Sequence, residues 1–572
     1  MKADLTRNTF DPFKHFTRVL MQQGRVQLDA DWNEQAAILL RYLQTLGADV
    51  IGPAGGPANA YGFGVGPVVF TPAVLSDFAI GFGRYYVDGI LCEAEPMPVA
   101  ISVQSVTGNT AAVQVDQWTL DGAPFQQDQL VEVFDDVQLP NAQPAFQPTV
   151  VQITNPQHAQ LNLTLQAATA AALASLSKAV SPKLRRVITY LTQPDYPVPD
   201  SEKLAANTEY LIYLDVWERC ITFIQDDAIR EVALGGPDTA TRAKVVWQVK
   251  AVVGTAPTGA TPATGAAGGG GQSPCDNFKP KDPNFLGTVL GSNRGRLKAK
   301  AKQAGASTDP CTIPPDARYR GPENQLYRVE IHAGSRDAQG NAAIPTFKWS
   351  RENGSVAYAI VNIATGGGST TVTLENLGRD DRFTLAEGEW VEIQDDDGVL
   401  QNRVAPLLRV QAIDLPNLKV TLSGTPDANV LQNFNKKDLA RHPLVRRWDH
   451  QAGDPADGGL TLGADNAALI QEGQWLELEN GVQIQFQTLA DANGNSLNQY
   501  HSSDYWLIPA RTATGNVEWP TEQDATGAPV PLAKPPDGIQ HHYAPLAVIT
   551  VDSGNKVTSD GDCRKQFHPQ AG

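Results

Sequence analysis

Between Val19 and Leu46 the spacing of apolar residues changes. Val19, Met21, Val26 and Leu28 alternate about a Gln22-Gln23-Gly24 turn, and from Trp32 onward the spacing lengthens to about 3.6 residues. A short hairpin or extended arm feeding a helix of about 15 residues is predicted. Asp31 stands where an N-cap belongs, with Glu34 three residues on, the spacing of a reciprocal capping box. Gly47 and the Gly52-Pro53 pair supply the stop. Trp32, Ala36, Leu39, Leu40, Leu43 and Leu46 fall on one stripe, so one helix face is expected to be buried against something.

Downstream the period is mostly two. Phe78 to Glu93 carries strand formers on both sides of Asp88-Gly89, a hairpin-turn dipeptide, and Gln129-Leu-Val-Glu-Val-Phe-Asp-Asp alternates as a half-buried strand does. Tyr210-Leu-Ile-Tyr-Leu-Asp-Val-Trp is apolar on both faces at its start, as a covered central strand would be. Gln325 to His332 and Phe347 to Val356 are further strands, the second turning at Asn353-Gly354. Gln157 to Val180 is rich in Ala and Leu and reads as a helical connector. A weak internal repeat pairs Glu387-Gly-Glu-Trp-Val-Glu-Ile-Gln-Asp with Glu472-Gly-Gln-Trp-Leu-Glu-Leu-Glu-Asn, aliphatics expected on one face and Trp with its carboxylates on the other. Leu130-Val-Glu-Val-Phe-Asp-Asp resembles a degenerate third copy.

The expected fold is mainly β and multi-domain: small β-sandwich or β-barrel modules with an N-terminal helix and one helical connector. The divisions are 1–55 (arm and helix), 56–156 (small β domain), 157–253 (helical connector and β domain), 254–317 (Gly-rich and basic linker), 318–430 (first Trp repeat) and 431–572 (second). The 50 glycines and 40 prolines suit such a loop-rich chain.

A formal charge of −17 disfavours nucleic acid and anionic membranes as partners. The basic run Arg294-Gly-Arg-Leu-Lys-Ala-Lys-Ala-Lys is better explained as a solvated loop or a contact for an acidic neighbour. No apolar run approaches the length of a membrane span, and the opening residues lack the apolar core of an export signal. Synthesis in the cytoplasm without direct membrane insertion is therefore expected. Five cysteines without a Cys-x-x-Cys pair suggest reduced thiols, a Cys275–Cys311 bridge being the exception to check.

Catalytic signals are weak. Asp395-Asp-Asp-Gly398 lacks the ligand spacing of a calcium loop and reads as a polar hairpin turn; His541-His542 and Asp562-Cys563-Arg564 match no metal or nucleophile pattern. No catalytic, cofactor-binding or metal-binding residue is assigned. The ten tryptophans are scattered and suit core or interface packing, with Trp390 and Trp475 as candidate glycan platforms.

Gly24-Arg-Val-Gln-Leu-Asp-Ala-Asp-Trp-Asn-Glu, preceded by Phe10-Asp-Pro-Phe-Lys-His-Phe, resembles the N-terminal signature of an uncharacterised protein family of extracellular contractile injection systems, the headless relatives of phage tails. It is also similar to the openings of some phage baseplate and tail-fibre-attachment proteins. Tyr213-Leu-Asp-Val-Trp-Glu-Arg, Tyr319-Arg-Gly-Pro-Glu-Asn-Gln-Leu-Tyr and Gly538-Ile-Gln-His-His-Tyr-Ala-Pro extend the likeness. The resemblance implies a location, the baseplate end of such a particle or a fibre, collar or cage-like extension of it, in a particle that is released extracellularly; with no catalytic site and strand-rich modules strung on long loops, a structural, non-enzymatic subunit is expected. Its expected partners are other baseplate and tail subunits and further copies of itself in a symmetric ring. Phe10, Phe13, Phe16, Arg25, Trp32, Leu39 and Leu43 are the residues expected to make that attachment. The alternative is a tail-fibre module binding a cell-surface receptor or glycan through Trp390 and Trp475.

Overall fold

Two closed six-stranded barrels arise from the period-two alternation. The computed structural model describes residues 1–68, 75–120, 123–136, 146–255, 275, 279–280, 294–302, 318–337, 341–378, 380, 382–435 and 441–568. The first barrel is built from Val99–Thr107, Thr110–Val115, Leu130–Asp135, Thr149–Gln157, Asn162–Ala167 and Pro182–Arg186. Val113, Val131, Val133, Val151, Ile153, Leu165 and Leu184 fill its interior. The second is built from Ala357–Gly366, Ser369–Leu374, Trp390–Gln394, Leu407–Asp414, Lys419–Ser423 and Leu444–Trp448. Its interior is Val372, Val391, Ile393, Val410, Val420 and Leu422. Around both barrels the strands run third, fourth, fifth, second, first, sixth. The chain is therefore mainly β and multi-domain, and it carries one topology twice.

The chain divides into two compact units. One comprises Met1–Tyr42, Trp217–Val245 and Asn284–His541. Beside the second barrel it holds a sheet in which Gln325–Ile331 pairs with Thr346–Ser350 and Tyr505–Arg511, and a three-stranded sheet of Leu297–Ala301, Val482–Phe486 and Leu476–Glu477. Tyr327, Phe347, Trp349, Phe486 and Trp506 form its aromatic core. The other unit comprises Leu43–Val216, Val246–Pro283 and His542–Gly572. It holds the first barrel and a sheet in which Thr208 pairs with Val551 and runs antiparallel as far as Val216 against His542. The helix α1, Asp29–Ile51, continues from the first stretch of one unit into the first stretch of the other.

The structure corrects several expectations. Residues 157–180 are not a helical connector: Asn162–Ala167 is a barrel strand paired on both sides, and only Ala170–Leu173 is α-helical. The alternation of Leu163, Leu165 and Ala167, all buried, outweighs the helix propensity of the neighbouring alanines. The division at 430/431 cuts through the second barrel, because Leu444–Trp448 closes it against Trp390–Gln394 and Ala357–Gly366. The basic run is no solvated loop. Leu297, Ala299 and Ala301 are buried on one face of a strand, Lys302 pairs with Glu477, and Arg294 pairs with Asp504. Cys275 is bridged to Cys563, while Cys311 lies outside the described residues. The Gly-rich run from 256 to 274 also lies outside them.

The Trp repeat is a likeness of entry turns and inward aliphatics, since Val391, Ile393 and Leu476 are buried and Leu478 packs on the core, but not of the sheets they enter. Gly388 (φ +92°) and Gly473 (φ +78°) both take the left-handed conformation, and each donates its N–H to a carbonyl on the paired strand, Val410 or Phe486. Beyond that turn Trp390–Gln394 enters a barrel, whereas Leu476–Glu477 is an edge strand. The true counterpart of Trp390–Gln394 is Leu130–Asp135, the third strand of the other barrel.

Candidate functional site: an exposed apolar arm and helix

Residues 12–28 form an arm with no strand partner among the described residues. Pro12–Lys14 makes a single 3-10 turn capped by Asp11, whose carboxylate accepts from the Phe13 N–H. His15 ends that turn in the left-handed conformation (φ +55°), and a second turn falls at Gly24 (φ +69°), where the Arg25 N–H reaches the Gln22 carbonyl. Polar side chains tie the segment to α1: Thr6 to Asp29, Thr9 to Glu34, and the Val19 N–H to Gln35 Oε1 at 2.8 Å. Glu34 is thereby used on Thr9. The helix also starts at Asp29, two residues before the predicted cap, and runs on through Gly47 to Ile51.

The predicted stripe is real as a pattern, yet it is not buried. Only Ala30 and Ile38 of α1 are buried. Trp32 is 62% exposed and Leu43 67%, and Leu39, Leu40, Tyr42, Leu46 and Val50 are exposed with them. On the arm Phe13 is 85% exposed and Val26 82%, with Phe16, Leu20, Met21 and Leu28 also open. Of the residues assigned to attachment, Phe10 is half-buried, and Phe13, Phe16, Arg25, Trp32, Leu39 and Leu43 all face solvent. From Pro12 to Leu28 the only charged residues are Lys14, Arg18 and Arg25, in a chain of net charge −17.

Sequence reasoning missed a second feature, at the very first residues. Lys2 Nζ lies 2.9 Å from Glu330 Oε1, Arg328 Nε lies 2.6 Å from Glu330 Oε2, and Lys348 Nζ lies 2.6 Å from Glu392 Oε2. Trp448 donates its indole N–H to the same Glu392 oxygen at 2.7 Å, and both Lys2 and Lys348 stand over the Trp448 ring. Asn353 clamps the backbone by donating to the Met1 and Ala3 carbonyls. Burial alone would push the carboxyls of Glu330 and Glu392 up. For Glu330 the cations Lys2, Arg328 and Lys348 outweigh that and hold the group well below the usual range; Lys348 and Lys2 do the same for Glu392. Burial pulls Lys2 down to about 8 and His332 and His450 down to about 4. The only signal for this network was the polar alternation of Arg328, Glu330 and His332, which suggests a solvated face.

The remaining titratable motifs are engaged in caps and ion pairs. Asp395 caps the short helix Asp396–Leu400 and is not part of a hairpin turn; Asp396 meets His442 and Arg219, and Asp397 meets Arg441. His542 pairs with Asp88, and Arg564 with Asp562. No cluster of three or more metal-ligating side chains occurs among the described residues, and none of their helices is long and apolar enough to cross a membrane.

A family match spans most of the sequence, in three stretches: residues 1–133, 187–261 and 272–568. The chain belongs to DUF6519, a family of unknown function. No curated protein matches it. The match includes the arm and α1, so the exposed surface lies within the family region.

In this DUF6519 chain the two proposed tryptophan platforms differ. Trp475 has Lys300 Nζ 4.0 Å from its ring centroid, so one face is already covered by a cation. Trp390 is half-buried, stacked nearly parallel on His450 at 6.0 Å between centroids, and borders an open groove. The carboxylate expected beside it on the outer face, Glu392, is instead buried against Lys348.

Proposed function

We propose that this DUF6519 chain is a structural, non-enzymatic subunit of a phage-tail-like contractile injection particle, at the baseplate or in a fibre or cage-like extension of it. It joins neighbouring copies of itself through Pro12 to Leu43. The observation that carries this reading is the exposed arm and helix, an apolar surface that the described residues leave largely uncovered. A second copy is the occupant the charges favour, since the arm carries only basic residues and the chain as a whole is strongly acidic. The resemblance of Gly24 to Glu34 and its flanks to injection-system proteins supplies the kind of assembly.

Sedimentation velocity of the full chain at micromolar concentration, with immunoblotting of purified sheathed particles, tests this. A closed oligomer and presence in the particle are expected. Substituting Phe13→Ser together with Leu39→Lys should return the chain to a monomer absent from particles. A wild-type chain that stays monomeric and is missing from the particles overturns the reading. Binding only to a different tail subunit overturns the self-association part.

A further inference from the structure

The groove beside Trp390 has a volume of about 620 Å³, within the range of small-molecule sites. Its wall is the outside of the second barrel, where Trp390 and Arg409 are direct partners on adjacent strands and Ser423 follows on the next. Glu387, Gln411 and Asn466 complete it.

Three properties limit what the groove can take. First, the indole is held in place: His450, itself fully buried, stacks on it, and Leu407, Trp448 and Ala467 form the cluster it packs against. A fixed aromatic ring at a groove edge offers its surface without an ordering cost. Second, the polar groups around it are of mixed kind and have capacity to spare. Arg409 Nε donates to the Gly388 carbonyl, which leaves both terminal amino groups. Ser423 Oγ accepts from the Arg409 backbone N–H, which leaves its own proton to donate. Glu387, Gln411 and the Trp390 indole N–H have no hydrogen-bond or ion-pair partner among the described residues. A guanidinium and a carboxylate lining one groove favour neither an anion nor a cation; together with an amide and a hydroxyl they match a neutral ligand dense in hydroxyls. Third, the barrel is closed, and Trp390–Gln394 is paired along both edges. A peptide therefore finds no free strand edge to extend, which removes its commonest way of docking on a sheet.

We propose that this groove is a carbohydrate-binding site for neutral oligosaccharides. One pyranose ring stacks on Trp390, and its hydroxyls are bridged by Arg409, Gln411 and Glu387. Trp475 does not line this groove and takes no part. The site lies wholly within one unit and does not depend on the assembly reading, so either stands if the other fails.

Isothermal titration of the full chain with cello-, malto-, manno-, xylo- and chito-hexaose tests the proposal. At least one should bind. Trp390→Ala should weaken that binding about tenfold or more, and Gln411→Ala by about threefold, while Trp475→Ala leaves it unchanged. Because Trp390 also packs against buried residues, thermal melts accompany each variant. If Trp390→Ala unfolds, the double substitution Arg409→Gln, Gln411→Ala at exposed positions decides the matter by the same loss. Failure of all five probes to bind overturns the proposal. So does binding that survives these substitutions, or a groove that captures extended peptides instead.

Discussion

Lys2 and Phe13 reverse the usual arrangement of a folded chain within a dozen residues of each other. Around Lys2, charges are inside: Glu330, Lys348, Glu392 and Arg328 are all but sealed from solvent, each with an opposite charge in reach. Around Phe13 and along α1, aromatic and aliphatic side chains are left largely exposed by the described residues. Taking ions from water costs several kcal/mol apiece, and only close, multiple partners offset it. Leaving a large apolar side chain in water forgoes about 1.5–3 kcal/mol each. The first region meets its cost internally, which makes it part of the fold. The second does not meet it within the described residues, and the proposed contact between copies is what would.

The sharpest way to break that comparison is on the buried side. Glu330→Gln removes the anion shared by Lys2, Arg328 and Lys348 and leaves three cations with too little compensation. A loss of about 3–5 kcal/mol is expected, read as a fall in the urea midpoint at constant slope. A loss below about 1 kcal/mol would mean that water reaches these groups, and the contrast with the arm would vanish.

Acid should weaken the same region by a comparable amount. Burial holds His332 and His450 near 4, below the ordinary value of about 6.5. Between those values the unfolded chain binds more protons than the folded one, so stability falls as the pH drops from about 6.5 to 4, by up to about 3 kcal/mol for each histidine. The depressed carboxyls of Glu330 and Glu392 act lower down: their contribution is complete above the unfolded value of about 4.3 and is lost as the pH falls beneath it. Denaturation midpoints at pH 7, 5.5 and 4.5 check this, with His332→Gln expected to flatten the slope. An unchanged midpoint from pH 7 to 4.5 would show that both rings are hydrated.

How far the sequence spoke depended on whether a residue's role was local. The barrel strands were legible because alternation is a property of neighbours: Val131 and Val133, or Val391 and Ile393, announce an inward face by themselves. The arm and α1 were legible for the same reason, down to the stripe of Trp32, Leu39 and Leu43. What could not be read was the environment of a face. Glu330 and Glu392 alternate with valine and isoleucine as any solvated strand would, yet partners as remote in sequence as Lys2 bury them. The Cys275–Cys563 bridge and the closure of the second barrel by Leu444–Trp448 are likewise long-range facts. The Trp repeat misled because its Gly turn is a local signal shared by two different sheets, while the topological counterpart of Trp390–Gln394 has no tryptophan at all.

The smallest effect on folding is expected where the sequence looks most like core. Leu39 and Leu43 are adjacent on the same exposed face of α1, and glutamine has nearly the helix propensity of leucine. Leu39→Gln with Leu43→Gln should therefore shift the urea midpoint by no more than about 0.5 kcal/mol per site, as exposed substitutions do. Self-association should suffer far more. Removing two buried leucines from each interface forfeits about 3–6 kcal/mol, a weakening of at least a hundredfold, visible as monomer by sedimentation at micromolar concentration. A protein in which the two numbers trade places, stability falling by several kcal/mol while the oligomer persists, would show that this face packs inside the subunit after all. The stripe would then belong with Glu330 and Lys348 as internal architecture. With the expected order, one helix face measures the difference directly: a leucine pair that contributes almost nothing to the fold and most of what holds the next copy.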